Sequence, residues 1–146
     1  MNDVRQILRS NYSPSLYLEM TNDCNLNCKY CYIHDKKFNS KVLSVGDIVS
    51  AINYIYPSKI IITGGEPLLH RDIIDFIKKF RKICDDEIII YSGYTESELK
   101  DKIEILNQYP NIIIKFGRFI PHQKSHFDDT LGIYLASENQ YAKQIS

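Results

Sequence analysis

Cys24, Cys28 and Cys31 fall within one short stretch, Cys24-Asn-Leu-Asn-Cys28-Lys-Tyr-Cys31. A thiolate is a soft ligand suited to zinc or to an iron–sulfur cluster, and cysteines this close in one loop can converge on a single metal centre. Such centres take about four ligands, so three cysteines leave one coordination position to fill. If His34 fills it, the loop is a Cys3His structural zinc knuckle. If nothing from the protein fills it, three thiolates hold three irons of a [4Fe-4S] cluster, and the fourth iron is open to a small molecule. An open position is the mark of a reactive metal site, a closed one of a structural site.

The other stretch with chemical content is Gly64-Gly65-Glu66-Pro67. It can be a plain turn, since Gly and Pro are common turn residues. It can also be a ligand-binding edge, because glycines let backbone approach a ligand and Glu66 can accept hydrogen bonds from an ammonium group.

Alternating strands and helices are expected to position these two stretches. Residues 1–13 are polar, with Val4, Ile7 and Leu8 on one face, and read as an arm. Ser15–Met20 after Pro14 is a short β-prone run that leads into the cysteine loop, residues 21–34. Ser44 and Asp47 make a capping-box start, and Val45, Ile48, Val49, Ile52 and Ile55 recur at helical spacing over 45–56. Lys59–Thr63 is a continuous apolar strand ending in the Gly-Gly-Glu-Pro turn. A helix over about 70–83 follows, then a strand Glu87–Tyr91. A second capping box, Thr95 with Glu98, opens a helix with Leu99, Ile103 and Leu106 inward. Asn111–Phe116 is a fourth strand, Pro121–Thr130 a surface loop, Leu131–Ala136 a fifth strand, and a short terminal helix is expected after Ser137.

Strands of nearly pure aliphatic residues alternating with helices predict parallel βαβ units in an α/β fold. A complete eight-unit barrel takes about 250 residues. The 146 residues here therefore predict one domain, an open partial (β/α) barrel with a mostly parallel, curved sheet of about five strands. Both motifs then lie at the carboxyl ends of neighbouring strands, where such folds place their chemistry.

Composition narrows the partners. Lys and Arg number 18, as do Asp and Glu, and zero net charge argues against nucleic acid. No apolar run approaches the ~20 residues needed to span a bilayer, and the start lacks the plan of a secretory signal. Four cysteines, three of them clustered, do not make a disulfide framework and point to a reducing cytoplasm.

Together the cysteine loop, with Tyr30 just before its last cysteine, and Gly64–Pro67 resemble the signatures of the radical S-adenosylmethionine superfamily. The resemblance implies that Cys24, Cys28 and Cys31 bind a [4Fe-4S] cluster whose open iron is chelated by the methionyl group of S-adenosylmethionine. It further implies that Tyr30 flanks the adenine and that Gly64, Gly65 and Glu66 hold the methionyl ammonium. Ile90–Tyr94, Gly117–Phe119 and Ser137–Gln140 are similar to successive blocks of the activating proteins of anaerobic ribonucleoside-triphosphate reductase. By that likeness Ser92 meets the ribose and Arg118 the methionyl carboxylate. The expected reaction is reductive cleavage to a 5′-deoxyadenosyl radical, which takes hydrogen from a glycine of the reductase large subunit. A flavodoxin-like protein is the expected electron donor, because the cluster must work at the low end of its range.

Ser92 and Arg118 also have plain readings, as a turn residue and a surface charge, and Asn139 either lines the site or caps the last helix. Departures from the activating proteins are Lys29-Tyr30 where small residues are usual, Phe116 where an aspartate is common, and Leu135-Ala136 in place of an Arg-Gly pair. They put the partner in question and not the chemistry. The alternatives are a radical enzyme acting on a small molecule or peptide, a binding module with structural zinc, and a non-catalytic regulator of a larger reductase, the last consistent with Phe116 and Leu135. His122 and His126 are four apart in a loop, Cys84 reads as a small buried residue, and His70 as a helix-start residue.

Overall fold

Each of the three central strands is an isoleucine triplet with a polar or aromatic residue at its ends. Isoleucine is stiff at χ1 and suits a pleated surface buried on both faces. A computed structural model describes residues 15–19 as backbone, Gly46 and Ile48, 59–63 and 65–146. In it β1 (Ser15–Glu19), β2 (Lys59–Thr63), β3 (Glu87–Tyr91) and β4 (Ile112–Phe116) pair in parallel in that order. The register aligns the triplets rung by rung: Ile60, Ile88 and Ile112, then Ile61, Ile89 and Ile113, then Ile62, Ile90 and Ile114.

Because side chains alternate, the triplets split between two faces. Ile60, Ile62, Ile88, Ile90, Ile112, Ile114 and Phe116 pack with Phe76, Ile77 and Phe80 of α1 (Ile73–Arg81) and with Leu99 and Leu106 at α2 (Lys100–Leu106). Ile48, one of two described residues in the expected helix over 45–56, is helical and packs partly buried against this core. On the opposite face Ile61, Ile89 and Ile113 pack with Ala142, and Tyr91 and Leu131 lie against them.

Helix starts follow the expected chemistry with small shifts. Thr95 and Glu98 make the reciprocal capping box, Thr95 N–H to Glu98 Oε2 at 2.8 Å and Glu98 N–H to Thr95 Oγ1 at 3.3 Å. The box closes a turn before α2, which begins at Lys100 rather than directly after it. His70 accepts the Asp72 N–H at Nδ1, 3.1 Å, a helix-start role. Cys84 is partly buried against the core.

Beyond β4 the structure corrects the expectation. Residues 131–136 do not add a fifth strand to the sheet. Gly132, at φ +69°, donates its N–H to the Asp128 carbonyl at 2.8 Å, and Leu131 N–H bonds Asp128 Oδ1 at 2.9 Å. That turn makes a hairpin of β5 (His126–Asp128) and β6 (Ile133–Leu135), so Pro121–Thr130 is not all loop. The terminal helix is also absent from 137–146. The Gln140 side chain accepts the N–H groups of Ala136 and Ser137 at 3.1 and 3.2 Å. The chain turns there and returns as β7 (Tyr141–Gln144), antiparallel to β4. Among the described residues the main sheet thus has five strands, four of them parallel, in the order β1-β2-β3-β4-β7.

Candidate functional site at the carboxyl ends of the strands

The parallel strands all end at the same side of the sheet, and the described segments after β2, β3 and β4 are joined by side chains as well as by backbone bonds. Glu66, at the end of β2, is fully buried. Its Oε1 accepts the Ser92 hydroxyl at 2.8 Å and the Leu68 N–H at 3.3 Å, and its Oε2 accepts the Gly93 N–H at 2.8 Å. A carboxylate can accept about four bonds, and three are made among the described residues. Burial raises the pKa of Glu66; the bonds from Gly93, Ser92 and Leu68 and the nearby Lys115 charge oppose that shift without cancelling it. A buried acid in that state is stabilised as the anion by any further donor or cation placed beside it.

Ser92 is buried, and its hydroxyl is occupied twice, donating to Glu66 and accepting the Tyr94 N–H at 3.0 Å. Ser92 N–H donates to the Lys115 carbonyl at 2.9 Å, and Gly117 N–H to the Tyr94 carbonyl at 2.9 Å, which ties the end of β3 to the end of β4. Gly117 has φ +92°, and a Cβ there would meet the Asn139 side-chain amide and carbonyl at 3.1 Å each. Only glycine fits so close a crossing without strain.

The third block closes over the second. Asn139 Nδ2 donates to the Arg118 carbonyl at 2.8 Å, and Gln140 Nε2 to the Gly117 carbonyl at 3.2 Å. Asn139 therefore braces the turn after β4; it caps no helix. His126 Nε2 lies 2.6 Å from the Gln140 carbonyl, while His122 is exposed at φ +70°. Among the described residues no group of three or more His, Cys, Asp or Glu side chains is placed to hold a metal.

Of the residues singled out from the sequence, the structure brings together Glu66 and Ser92, with Gly65 one residue before Glu66 and partly buried. Arg118 stands apart: its side chain is 40% exposed and its guanidinium faces Glu98 at 3.9 Å. Cys24, Cys28, Cys31, Tyr30, His34 and Gly64, the arm 1–13 and the cysteine loop 21–34 lie outside the described residues. Two residues at this end were given no role of their own by the sequence reading. Gln140 falls in the Ser137–Gln140 block, but only the fold shows its amide reaching the Gly117 carbonyl. Lys115 carries a signal, as the single charge inside the aliphatic run Ile112–Phe116.

Chemically this end offers a buried carboxylate, a hydroxyl and an ammonium, a set that fits a ligand carrying a cation beside polar oxygens. Comparison with known proteins gives the set a context. Residues 18–128 match the model of the Radical SAM superfamily. An uncharacterized protein of Methanocaldococcus jannaschii is 41% identical over 110 residues, 70% of this chain and 36% of that protein. A GTP 3′,8-cyclase of Clostridium perfringens is 35% identical over 80 residues, 51% of this chain and 25% of the cyclase. A second Methanocaldococcus jannaschii protein, provisionally named a glycyl-radical enzyme activating enzyme, is 31% identical over 90 residues, 59% of this chain and 34% of that protein. The chain spans 24–36% of the length of the curated relatives it matches. No helix among the described residues is long and apolar enough to cross a membrane.

Proposed function

Because the chain belongs to the radical SAM superfamily, we propose that it is an activating enzyme that installs a glycyl radical on anaerobic ribonucleoside-triphosphate reductase. The superfamily uses a [4Fe-4S] cluster and S-adenosylmethionine; when bound, the pair supplies one electron to the sulfonium and so a 5′-deoxyadenosyl radical able to take hydrogen from an unactivated carbon. In this reading Cys24, Cys28 and Cys31 are the cluster ligands, and the zinc alternative with His34 gives way. Tyr30 flanks the adenine. Gly64 and Gly65 give backbone access, Glu66 offers its carboxylate to the methionyl ammonium, and Ser92 offers a hydroxyl lone pair to the ribose. A flavodoxin-like protein supplies the electron, and 1–146 acts as one domain.

The observation that supports the activating role is the meeting of the three blocks resembling reductase activators. Ile90–Tyr94, Gly117–Phe119 and Ser137–Gln140 are 17 or more residues apart, yet Gly117 N–H bonds Tyr94, Asn139 bonds Arg118 and Gln140 bonds Gly117. A hydrogen-atom transfer needs no side chain at this end to act as acid or base. An open partial barrel, in which the four parallel strands are followed by an antiparallel one, leaves room for a large partner to complete the site.

Anaerobic reconstitution with iron and sulfide, then dithionite and S-adenosylmethionine, should release 5′-deoxyadenosine, and Cys28→Ala should abolish that release. Adding the reductase should produce a glycyl radical in the electron paramagnetic resonance spectrum. A second reading, a radical enzyme acting on a nucleotide, is favoured by the matches to GTP 3′,8-cyclases. Consumption of GTP with no glycyl radical would replace the first reading by the second. Cleavage by Cys28→Ala at the wild-type rate would remove both.

A further inference from the structure

We propose that Asn139 is a positioning residue for the ligand at the strand ends: it fixes the turn after β4, and so sets how tightly S-adenosylmethionine is held there. The inference rests on the cofactor part of the functional reading above and on neither of the substrates considered. The turn needs such a residue. Phe116 and Tyr141 form the last rung between β4 and β7, and Gly117, at φ +92°, takes the chain out of the ladder. Past that point the side chains of Ser137, Asn139 and Gln140 grip the backbone in place of a strand. Asn139 Nδ2 donates to the Arg118 carbonyl at 2.8 Å, Ser137 Oγ accepts the Ile120 N–H at 3.2 Å, and Gln140 Nε2 donates to the Gly117 carbonyl at 3.2 Å. A carbonyl before Phe119 and an N–H after it are thus served as a neighbouring strand would serve them.

Asn139 is itself held on several sides. Its Oδ1 accepts the hydroxyl of the buried Ser137 at 2.6 Å, and its backbone N–H donates to Gln123 Oε1 at 3.1 Å. Asparagine carries a donor and an acceptor on one short arm, and here both are used. The clasp also reaches the far side of the site. Gly117 N–H bonds the Tyr94 carbonyl at 2.9 Å, Tyr94 N–H bonds Ser92 Oγ at 3.0 Å, and the Ser92 hydroxyl donates to Glu66 at 2.8 Å. A shift of the turn after β4 is therefore passed to the carboxylate that this reading offers to the methionyl ammonium. A surface turn with no ligand can stay mobile at little cost. Groups that receive a ligand must be held to within about 0.5 Å by bonds from the residues behind them. Three polar side chains gathered on one turn beside Glu66 fit the second case.

Two near-isosteric changes in anaerobically reconstituted protein test the assignment. Asn139→Asp keeps the acceptor for Ser137 and sets an oxygen against the Arg118 carbonyl, which breaks that grip. Asp128→Asn breaks a comparable bond in the hairpin, where the buried Asp128 accepts the Ala142 N–H at Oδ2, 2.9 Å. Release of 5′-deoxyadenosine under dithionite is followed against S-adenosylmethionine concentration, at a temperature where circular dichroism finds both variants folded. Asn139→Asp should raise KM about tenfold with kcat within about twofold of the wild type's, as the loss of one buried bond acting on binding predicts. Asp128→Asn should leave both constants within about twofold. A KM for Asn139→Asp within about twofold of the wild type's, an equal rise in both variants, or a loss of kcat with no rise in KM each overturns the proposal. Asn139→Ala, which drops the bond without adding a charge, takes its place in the same assay if Asn139→Asp does not fold. Wild-type protein that releases no 5′-deoxyadenosine sinks the functional reading and this inference together. Release without a glycyl radical on the reductase removes the activating role alone and leaves the KM comparison to decide the inference.

Discussion

The two ends of the parallel sheet use one device with opposite sign. At the carboxyl ends, the Glu66 carboxylate gathers the N–H groups of Leu68 and Gly93 and the Ser92 hydroxyl. Near the amino end of β4, the Arg81 guanidinium gathers carbonyls, Pro110 at 2.8 Å, Asn111 at 3.1 Å and Cys84 at 3.3 Å. Each charged group ties turn backbone together, although the Asn111 carbonyl also accepts the Ile88 N–H at 3.1 Å. The difference lies in how well the charge is served. Burial lowers the pKa of Arg81, but a guanidinium stays protonated regardless. It lies on the Phe80 ring at 5.4 Å, and its bonds are to neutral carbonyls that it satisfies. Glu66 is wholly buried, and the protein's own donors do not cancel the cost of its charge. A complete bracket is architecture, whereas an undercompensated one invites a ligand cation.

Removing the brackets sharpens that contrast. Glu66→Ala strands a hydroxyl and two N–H groups in a buried turn and should cost about 3 kcal/mol or more in urea unfolding. A loss below about 1 kcal/mol would show that the carboxylate is not holding the strand ends together. Arg81→Met keeps the apolar stem and exposes its carbonyl partners to water, so about 1–2 kcal/mol is expected. At a temperature where that variant stays folded, its release of 5′-deoxyadenosine should equal the wild type's. A specific loss of cleavage in Arg81→Met would break the distinction between the ends.

The pH dependence of folding should differ as well. The folded-state pKa of Glu66 is raised above 4.5, so between that value and the raised one the folded state binds more protons than the unfolded. Its contribution to stability is therefore fully present below about pH 4.5 and declines as pH climbs through the folded pKa. Stability curves of wild type and Glu66→Gln should diverge in slope over that window, the variant lacking the decline. Parallel curves would mean that Glu66 ionises in the fold as it does in the open chain. The smallest effect is expected at Asn111, where φ is +60° and Nδ2 donates to the Asp85 carbonyl at 3.0 Å. Asn111→Gly relieves the backbone and loses the bond, and the two should offset to within about 0.5 kcal/mol. A larger loss in thermal unfolding would give the amino end a second essential bracket.

Legibility in the sequence followed the strength of local patterns. The isoleucine triplets at 60–62, 88–90 and 112–114 announced three buried strands, and the amphipathic spacing from Ile73 to Phe80 announced α1. The Thr95–Glu98 box was readable because both partners lie three residues apart. Past Phe116 such signals fail. Leu131–Ala136 looks like a strand, and it does become one at Ile133–Leu135. Its partner is the neighbouring His126–Asp128, chosen by the Asp128 turn rather than by its own residues. Tyr141–Gln144 carries only one buried side chain, Ala142; among the described residues it ends the sheet, where a strand needs little apolar pattern.

The site divides the same way. Residue types and spacing alone determined the family, through a cysteine triplet and a Gly-Gly-Glu-Pro turn that are short in sequence and need no fold to be seen. The tertiary structure alone decided that Glu66 is clasped by Ser92 and Gly93, that Arg118 turns toward Glu98, and that Lys115 stands on the sheet face with Tyr91 and Ala142. The reason is physical. Parallel pairing joins strands some 24 to 28 residues apart in the chain, so which side chains meet at their ends depends on sheet register, a property that no local stretch contains.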